Sequence, residues 1–132
     1  PDSIVIGSDQ IAVFEGRIIG KPGCHRVALE QLSSFSGQTV EFQTALTVRC
    51  LAGDFIEQYV DTTRVCFRHI EVEEIERYLK TEKPYDCAGA FKAESLGITL
   101  FEKITSDDPT ALIGLPLIRT AAMLRRAGLQ LP

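Results

Sequence analysis

Residues 4–10 read IVIGSDQ, and this stretch decides how the rest of the chain is interpreted. Three β-branched residues run into Gly7, and Asp9 follows two positions later. This pattern predicts a buried strand that ends in a tight turn. Because ligands of open α/β sheets bind beyond the carboxyl ends of the strands, Asp9 is a candidate site residue. The simpler alternative is that Asp9 is a turn residue that caps the end of a strand.

A second short stretch, GKP at residues 20–22, adds a cation to this picture. Before it come an apolar run at residues 11–14, a Glu15-Gly16 turn signal and a returning segment at residues 17–19. The pattern predicts a small hairpin that carries Lys21 back toward Asp9. A carboxylate and an ammonium group brought together in this way suit a phosphorylated substrate.

The composition restricts the class of protein. The chain has 132 residues, which suits one domain with its own core. Its net charge of −4 argues against binding to nucleic-acid polymers, which relies on Lys and Arg. No apolar run approaches membrane-spanning length, and we expect a cytoplasmic protein without a membrane partner. The four cysteines form no CxxC pair and the two histidines add no zinc spacing, so we expect reduced, mostly buried thiols.

Hydrophobic periodicity predicts three further strands. Strict alternation indicates a strand over residues 39–50, and a second long strand follows over residues 55–69. Polar residues at 61–64 interrupt the apolar face of that second strand, which suggests a bulge there. A shorter strand is predicted over residues 97–104.

Three helices are predicted at residues 24–34, 71–80 and 114–127. The first ends at Ser36-Gly37, where glycine suits a left-handed cap. A turn and a helix start are predicted at residues 106–109, before the last helix, with Asp107 or Asp108 as the cap of that start. The second helix has a predicted buried stripe of Val72, Ile75 and Leu79.

The stretch DCAGAFKAE at residues 86–94 is a candidate pocket wall. Small residues surround Gly89, which permits a close approach of the backbone. Lys92 and Glu94 then place a cation and an acid two positions apart, on one face if the segment is extended. The alternative is an ordinary polar loop in which Lys92 and Glu94 form a salt bridge.

Taken in order, these stretches resemble the Maf family of nucleoside triphosphate pyrophosphatases. The resemblance covers essentially the whole chain and implies an α/β fold of the Maf/inosine-triphosphatase type, with a mixed twisted sheet flanked by helices and a central cleft. Gln10 and the FKAE of residues 91–94 are most similar to the branch associated with 7-methyl-GTP, whereas the dTTP/UTP branch has Asp-Thr and a Tyr-Gly-Ile-Gln-like loop at these places. The motifs that carry the resemblance are GSDQ (7–10), GKP (20–22), SG (36–37), DCAGAF (86–91) and IGLP (113–116).

The resemblance implies a reaction and roles for individual residues. The reaction is hydrolysis between the α- and β-phosphates of a nucleotide, with a divalent cation, Mg²⁺ or Mn²⁺. Asp9 matches the family's proton acceptor and is a candidate metal ligand. Gln10 and Glu94 match positions tied to substrate choice. Lys21 matches the lysine of the phosphate region, to which Lys92 adds a second cation.

The chain also departs from the family pattern. The Ser-x-Ser-x-Arg-Arg motif, which binds phosphates in the family, has no counterpart in these residues. We therefore expect a single Maf-like domain over residues 1–132 that is N-terminally incomplete, with exposed apolar sheet surface that favours a homodimer. Two alternatives stay open for the function, namely a dTTP/UTP pyrophosphatase of the same family and a catalytically impaired fragment that binds nucleotides or regulates.

Overall fold

A computed structural model describes residues 3–132, so Pro1 and Asp2 of the predicted domain lie outside the described residues. One five-stranded sheet has the order β2-β1-β3-β4-β5, and all four strand pairings are antiparallel. The α/β class predicted from the sequence is confirmed. The elements are β1 (Ile4–Phe14), β2 (Arg17–Ile19), α1 (His25–Phe35), β3 (Thr39–Cys50), β4 (Phe55–Phe67), α2 (Val72–Glu82), β5 (Phe101–Thr105) and α3 (Leu117–Arg126).

The central strand β3 organises the core. Its alternate residues are buried on one face of the sheet, as the sequence predicts. At one end of this face, α1 and α2 pack on Val40 and Phe42. At the other end, Met123 of α3 packs on Leu46 and Val48. The three helices therefore cover the same face of the sheet.

The second face of the sheet carries exposed apolar side chains. Val5 is 54% exposed, and Ile56 and Val60 are each 58% exposed. The strand registers place these residues on the side of β1 and β4 away from the buried row of β3. Between residues 3 and 132 no helix is long and apolar enough to cross a membrane.

The prediction that the first strand ends at Gly7 is wrong. β1 continues for 11 residues, to Phe14, and pairs with β3 from Ile4–Cys50 to Val13–Glu41. Gly7 is not among the glycines with positive φ, so the backbone stays extended there. Residues 5–9 are also exposed rather than buried. Asp9 therefore lies within a strand, opposite Ala45, and not at a strand end.

The polar residues of β4 form no bulge against β3. The β3–β4 register is unbroken from Thr39–Cys66 to Cys50–Phe55. Asp61 and Thr63 lie on the buried face of the sheet. The irregularity of this strand lies between Cys66 and Phe67, on the side of β5. β4 then ends at Phe67, two residues earlier than predicted.

Other boundaries also differ from the predictions. Residues 96–100 form a 3₁₀ turn, so β5 begins only at Phe101. α3 begins at Leu117, because the preceding Gly-Leu-Pro residues are outside the helix. Val72 is 53% exposed, and Tyr78 takes its place in the buried stripe of α2. All four cysteines are free, but only Cys50 is buried, so the expectation of mostly buried thiols is wrong.

Candidate functional site

A cleft of about 190 Å³ lies where the loop after α2 meets the turn before α3. Gln10 of β1, Lys92 and Glu94 all line it. The structure thus brings together three of the five residues that the resemblance implies. The other lining residues are Phe42, Cys87, Ala88, Phe91, Ala93, Leu112 and Ile113.

Gln10 is held in one orientation by its neighbours. Its Nε2 donates to Thr44 Oγ1 at 3.0 Å and to the Ala111 carbonyl oxygen at 2.9 Å. A flipped amide would place Oε1 against the Ala111 carbonyl, with two acceptors facing each other. This orientation leaves Oε1 of Gln10, a residue that lines the cleft, without a hydrogen-bond donor among the described residues.

The loop that carries Lys92 and Glu94 is anchored by Phe91. The Phe91 ring is buried and packs edge-on against Phe42, Phe67 and Phe101, with centroid separations of 5.2–5.4 Å. Gly89 has φ +80°, and a Cβ there would lie 3.1 Å from the Phe91 ring. This explains the small residues before Phe91, which make room for the buried ring.

Lys92 and Glu94 do not form the salt bridge of the simpler alternative. The ion pairs found within residues 3–132 do not include this one. Lys92 is half-buried and Glu94 is exposed. Both charges are therefore available to a ligand at the rim of the cleft.

Cys87 adds a thiol to the wall of the same cleft. Burial raises its pKa, and the neighbouring Asp86 carboxylate raises it further. The thiol therefore stays protonated at neutral pH, which makes it a weak polar contact and a poor nucleophile.

Asp9 is placed differently from Gln10. Successive residues of a strand project to opposite faces, and Gln10 lies on the buried face opposite Thr44. Asp9 consequently projects to the second face, beside Ala45 and Val60, where it is exposed. Its Oδ1 accepts the Gln10 backbone N–H at 3.0 Å.

Lys21 follows the predicted hairpin but forms no ion pair with Asp9. The β1–β2 register pairs Ala12 with Ile19, so the chain does return toward Asp9. Lys21 is exposed, and within the part of the chain that the structure describes it forms no ion pair. The structure does not bring Lys21 into the cleft with Lys92.

The described residues can hold a divalent metal only with help from a substrate. Between residues 3 and 132 no three His, Cys, Asp or Glu side chains gather to bind an ion. Mg²⁺, however, is commonly bound by one or two carboxylates together with substrate phosphates. The exposed Asp9 carboxylate fits this role, because only its Oδ1 accepts a hydrogen bond within the described chain.

A buried polar seam holds the turn over the cleft in place. In this seam Thr63 Oγ1 donates to Asp61 Oδ1 at 3.3 Å, and Ser106 Oγ lies 3.2 Å from the same hydroxyl oxygen. Burial raises the pKa of Asp61, and the nearby Asp108 carboxylate adds to this, while the hydrogen bond from Thr63 opposes it. Asp61 is 3% exposed, so a carboxyl group is buried here with few partners.

Asp108 accepts hydrogen bonds at two places. The helix start predicted at residues 106–109 is wrong, because residues 109–114 form a turn and α3 begins only at Leu117, after Pro116. Asp108 accepts from the Thr110 N–H at 2.8 Å, from the Thr110 hydroxyl at 2.6 Å and from the Ile118 N–H at 2.8 Å. Burial opposes ionisation of Asp108, but these hydrogen bonds outweigh it and lower its pKa. The Asp108 side chain therefore joins the turn to α3, and its backbone carbonyl oxygen accepts from the N–H of Ala111, the acceptor for Gln10.

Sequence reasoning missed several residues of the site. The hydroxyl of Thr44 accepts a hydrogen bond from Gln10. The sequence indicates only that Thr44 is a polar residue on the buried face of an alternating strand. Leu112 and Ile113 line the cleft. Their proximity to Gln10 depends on the fold of the turn, which local sequence patterns do not reveal.

Comparison with known proteins decides the family. A family model described as "Maf-like protein" matches residues 1–127. This chain belongs to the Maf family. The match covers the cleft residues as well as β1, so the family resemblance seen in the motifs is confirmed.

Curated Maf relatives are similar over nearly the whole chain. A 7-methyl-GTP pyrophosphatase of a Polaromonas species is 53% identical over 99% of this chain and 60% of its own length. Proteins of the same name from Albidiferax ferrireducens and Xanthomonas axonopodis are 48% and 53% identical, over 65% and 68% of their lengths. The chain thus spans about two thirds or less of the length of these relatives.

Proposed function

We propose that this chain takes part in the hydrolysis of 7-methyl-GTP to its monophosphate and pyrophosphate. The observation that carries the proposal is the cleft in which Gln10, Lys92 and Glu94 meet. The relatives are named 7-methyl-GTP pyrophosphatases, and this supports the choice of nucleotide.

The cleft offers acceptors for the edge of a guanine. Gln10 lines the cleft with its amide protons already engaged, so its Oε1 can accept, and Glu94 contributes a carboxylate. Guanine presents donors at N1 and at its 2-amino group, which suit two acceptors. Methylation at N7 gives the base a positive charge, and the Glu94 carboxylate attracts that charge.

The size of the cleft matches a base and not a whole nucleotide. Its volume of about 190 Å³ is below the about 300 Å³ at which pockets for drug-sized ligands begin. The phosphates of a bound nucleotide would therefore lie outside it. Lys92 at the rim is the cation nearest to such phosphates among the lining residues.

The chemistry needs one proton acceptor. In the hydrolysis, a water oxygen bonds to the α-phosphorus while the bond from that phosphorus to the bridging oxygen breaks, and pyrophosphate leaves with the electron pair. Asp9 is the residue proposed to accept the proton of the water, and Lys21 is proposed to bind phosphate oxygens. A divalent cation held by Asp9 and the phosphates would neutralise charge that develops on the phosphoryl group.

A second candidate function is nucleotide binding without efficient turnover. The placement of Asp9 favours it, because the Asp9 carboxylate and the base cleft are on opposite faces of the sheet. A dTTP/UTP pyrophosphatase remains an alternative to the 7-methyl-GTP pyrophosphatase of the first proposal.

Rates of pyrophosphate release from 7-methyl-GTP, GTP, dTTP and UTP test the first proposal. Turnover of 7-methyl-GTP at least about tenfold faster than that of the other nucleotides supports it, and faster turnover of dTTP or UTP contradicts the substrate assignment. Calorimetry with a non-hydrolysable 7-methyl-GTP analogue separates the second candidate, which predicts binding without turnover. We further propose a cytoplasmic location and a homodimer. Sedimentation would test the homodimer.

A further inference from the structure

The recognition loop, which we define as residues 85–97, carries the two charged residues of the cleft. Within it the Lys92 peptide is held from both sides. Its N–H donates to the Tyr78 hydroxyl of α2 at 2.9 Å. Its carbonyl oxygen accepts from the Ser95 N–H at 3.2 Å and the Gly97 N–H at 3.0 Å.

Gly97 is required for this arrangement. A Cβ at Gly97 would lie 2.4 Å from the Lys92 carbonyl oxygen and 2.8 Å from its carbonyl carbon. Both atoms belong to the backbone, so a larger residue would displace the Lys92 peptide itself. The neighbouring Leu96 N–H donates to Glu82 at the end of α2, at 3.0 Å. Helix α2 thus contacts the loop at Lys92 and again at Leu96.

Tyr78 is suited to act as a fixed acceptor. It is 6% exposed and does not line the cleft, so its contact with a ligand would be indirect. Burial raises its pKa, which keeps the hydroxyl neutral across the ordinary pH range. Because α2 packs on α1 through the core, the hydroxyl is held by the rigid part of the fold.

We propose that Tyr78 is a positioning residue for nucleotide recognition, which holds the Lys92 peptide and thereby sets where Lys92 and Glu94 stand relative to Gln10. The proposal rests on the proposed nucleotide site at the cleft. It makes the placement of the selective residues Lys92 and Glu94 depend on a residue that does not line the cleft. Gly97 binds the carbonyl oxygen of the same residue, Lys92.

The test compares Tyr78→Phe with Tyr59→Phe. Both changes remove one phenolic oxygen, but Tyr59 lies on β4 under Arg119, and its hydroxyl makes no hydrogen bond within residues 3–132. Tyr78→Phe keeps the buried ring and removes only the acceptor for Lys92. Loss of one hydrogen bond to a loop N–H corresponds to about a tenfold change in an equilibrium.

Two readouts are measured on the full chain. Hydrogen exchange of the Lys92 amide is expected to become about tenfold faster in Tyr78→Phe and to stay unchanged in Tyr59→Phe. The KM for 7-methyl-GTP is expected to rise about tenfold with kcat within about twofold, while the KM for GTP changes less. Gly97→Ala is expected to give the same faster exchange and higher KM, because its Cβ would displace the backbone of Lys92.

The outcomes separate the two proposals. Unchanged exchange at Lys92 in Tyr78→Phe overturns the positioning role, whether or not the protein is active. Faster exchange with an equal loss of kcat/KM for every nucleotide also overturns it, because that pattern indicates general destabilisation. A parent protein that neither binds nor hydrolyses any nucleotide refutes the proposed function, and the claim that Tyr78 serves recognition falls with it. If the Lys92 amide still exchanged faster in Tyr78→Phe, its bond to Tyr78 would be a structural contact without a role in recognition.

Discussion

Asp9 and Gln10 are adjacent in β1, yet their side chains project from opposite faces of the sheet. Gln10 reaches the cleft and is fixed by Thr44 and Ala111, whereas Asp9 lies on the exposed face beside Ala45. The strand therefore separates a residue proposed to read the base from a residue proposed to accept a proton. This separation predicts that substitutions at the two positions affect different kinetic constants.

Asp9→Asn is expected to lower kcat for 7-methyl-GTP by at least about a hundredfold, the usual contribution of a general base, with KM within about twofold. Gln10→Leu is expected to raise KM about tenfold, because it removes an acceptor from the cleft and the bonds that fix the turn. Steady-state kinetics on both variants measures this. A kcat unchanged by Asp9→Asn would show that another group accepts the proton.

Glu94 is expected to set the preference for a methylated base. Two opposite charges about 4 Å apart in water interact by about 1 kcal/mol, which is about fivefold in affinity. Glu94→Gln should therefore lower the kcat/KM ratio of 7-methyl-GTP to GTP by about fivefold. The control is Glu102→Gln, which removes an exposed acid of β5 away from the cleft. An equal change in both variants would assign the effect to net charge alone.

The metal is expected to bind with the nucleotide and not to the protein alone. No group of three ligating side chains exists between residues 3 and 132, and Asp9 offers a single carboxylate. A chelator should therefore stop turnover while leaving the melting temperature of the nucleotide-free protein unchanged, within about 1 °C. Differential scanning fluorimetry with and without a chelator measures this. A large fall in melting temperature would reveal a structural metal.

The parts of the fold that follow from local patterns were predictable. The alternation in residues 39–50 gave β3 to the residue, because one buried face imposes a period of two. The cleft residues Lys92 and Glu94 were found because a cation and an acid follow a stretch of small residues around Gly89. Where tertiary contacts decide, local patterns failed. Gly7 reads as a turn signal, but pairing with β3 keeps it extended.

The buried polar seam shows the same limit. In the sequence, Asp61 and Thr63 indicate an interruption of the strand β4, because polar residues are disfavoured on a buried face. They are accommodated since Ser106 lies above them and hydrogen-bonds Thr63. Ser106 is 43 residues away from Thr63 along the chain. No periodicity in the sequence reports such a contact.

Asp108 is expected to stabilise the fold in its ionised form. Loss of a capping carboxylate costs about 0.5–2 kcal/mol, and Asp108 accepts three hydrogen bonds, so we expect Asp108→Ala to lower the free energy of unfolding by about 2 kcal/mol. Its pKa is lowered in the folded state. Its contribution is therefore present above the ordinary carboxyl value of about 4 and is lost as the pH falls through the lower folded value. Urea unfolding of both proteins at pH 7 and at pH 3 measures this.

Asp61 is expected to have the opposite effect on stability. Burial raises its folded pKa above the ordinary carboxyl value, so the folded protein binds the proton more tightly than the unfolded chain. The favourable contribution of protonated Asp61 is thus complete below about pH 4 and is lost as the pH rises through the raised value. Asp61→Asn, which removes the buried charge and keeps the shape, should raise the free energy of unfolding at pH 7, and this gain should shrink below about pH 4.

Asp107→Asn is the matched control for this prediction, because Asp107 is an exposed acid beside the same seam. It should change the free energy of unfolding at pH 7 by no more than about 0.5 kcal/mol. The measurement is urea unfolding of the parent and both variants across pH 3–8. If Asp61→Asn destabilises the protein at pH 7, the hydrogen bond from Thr63 outweighs the burial of the charge, and the carboxylate is the form that the seam requires.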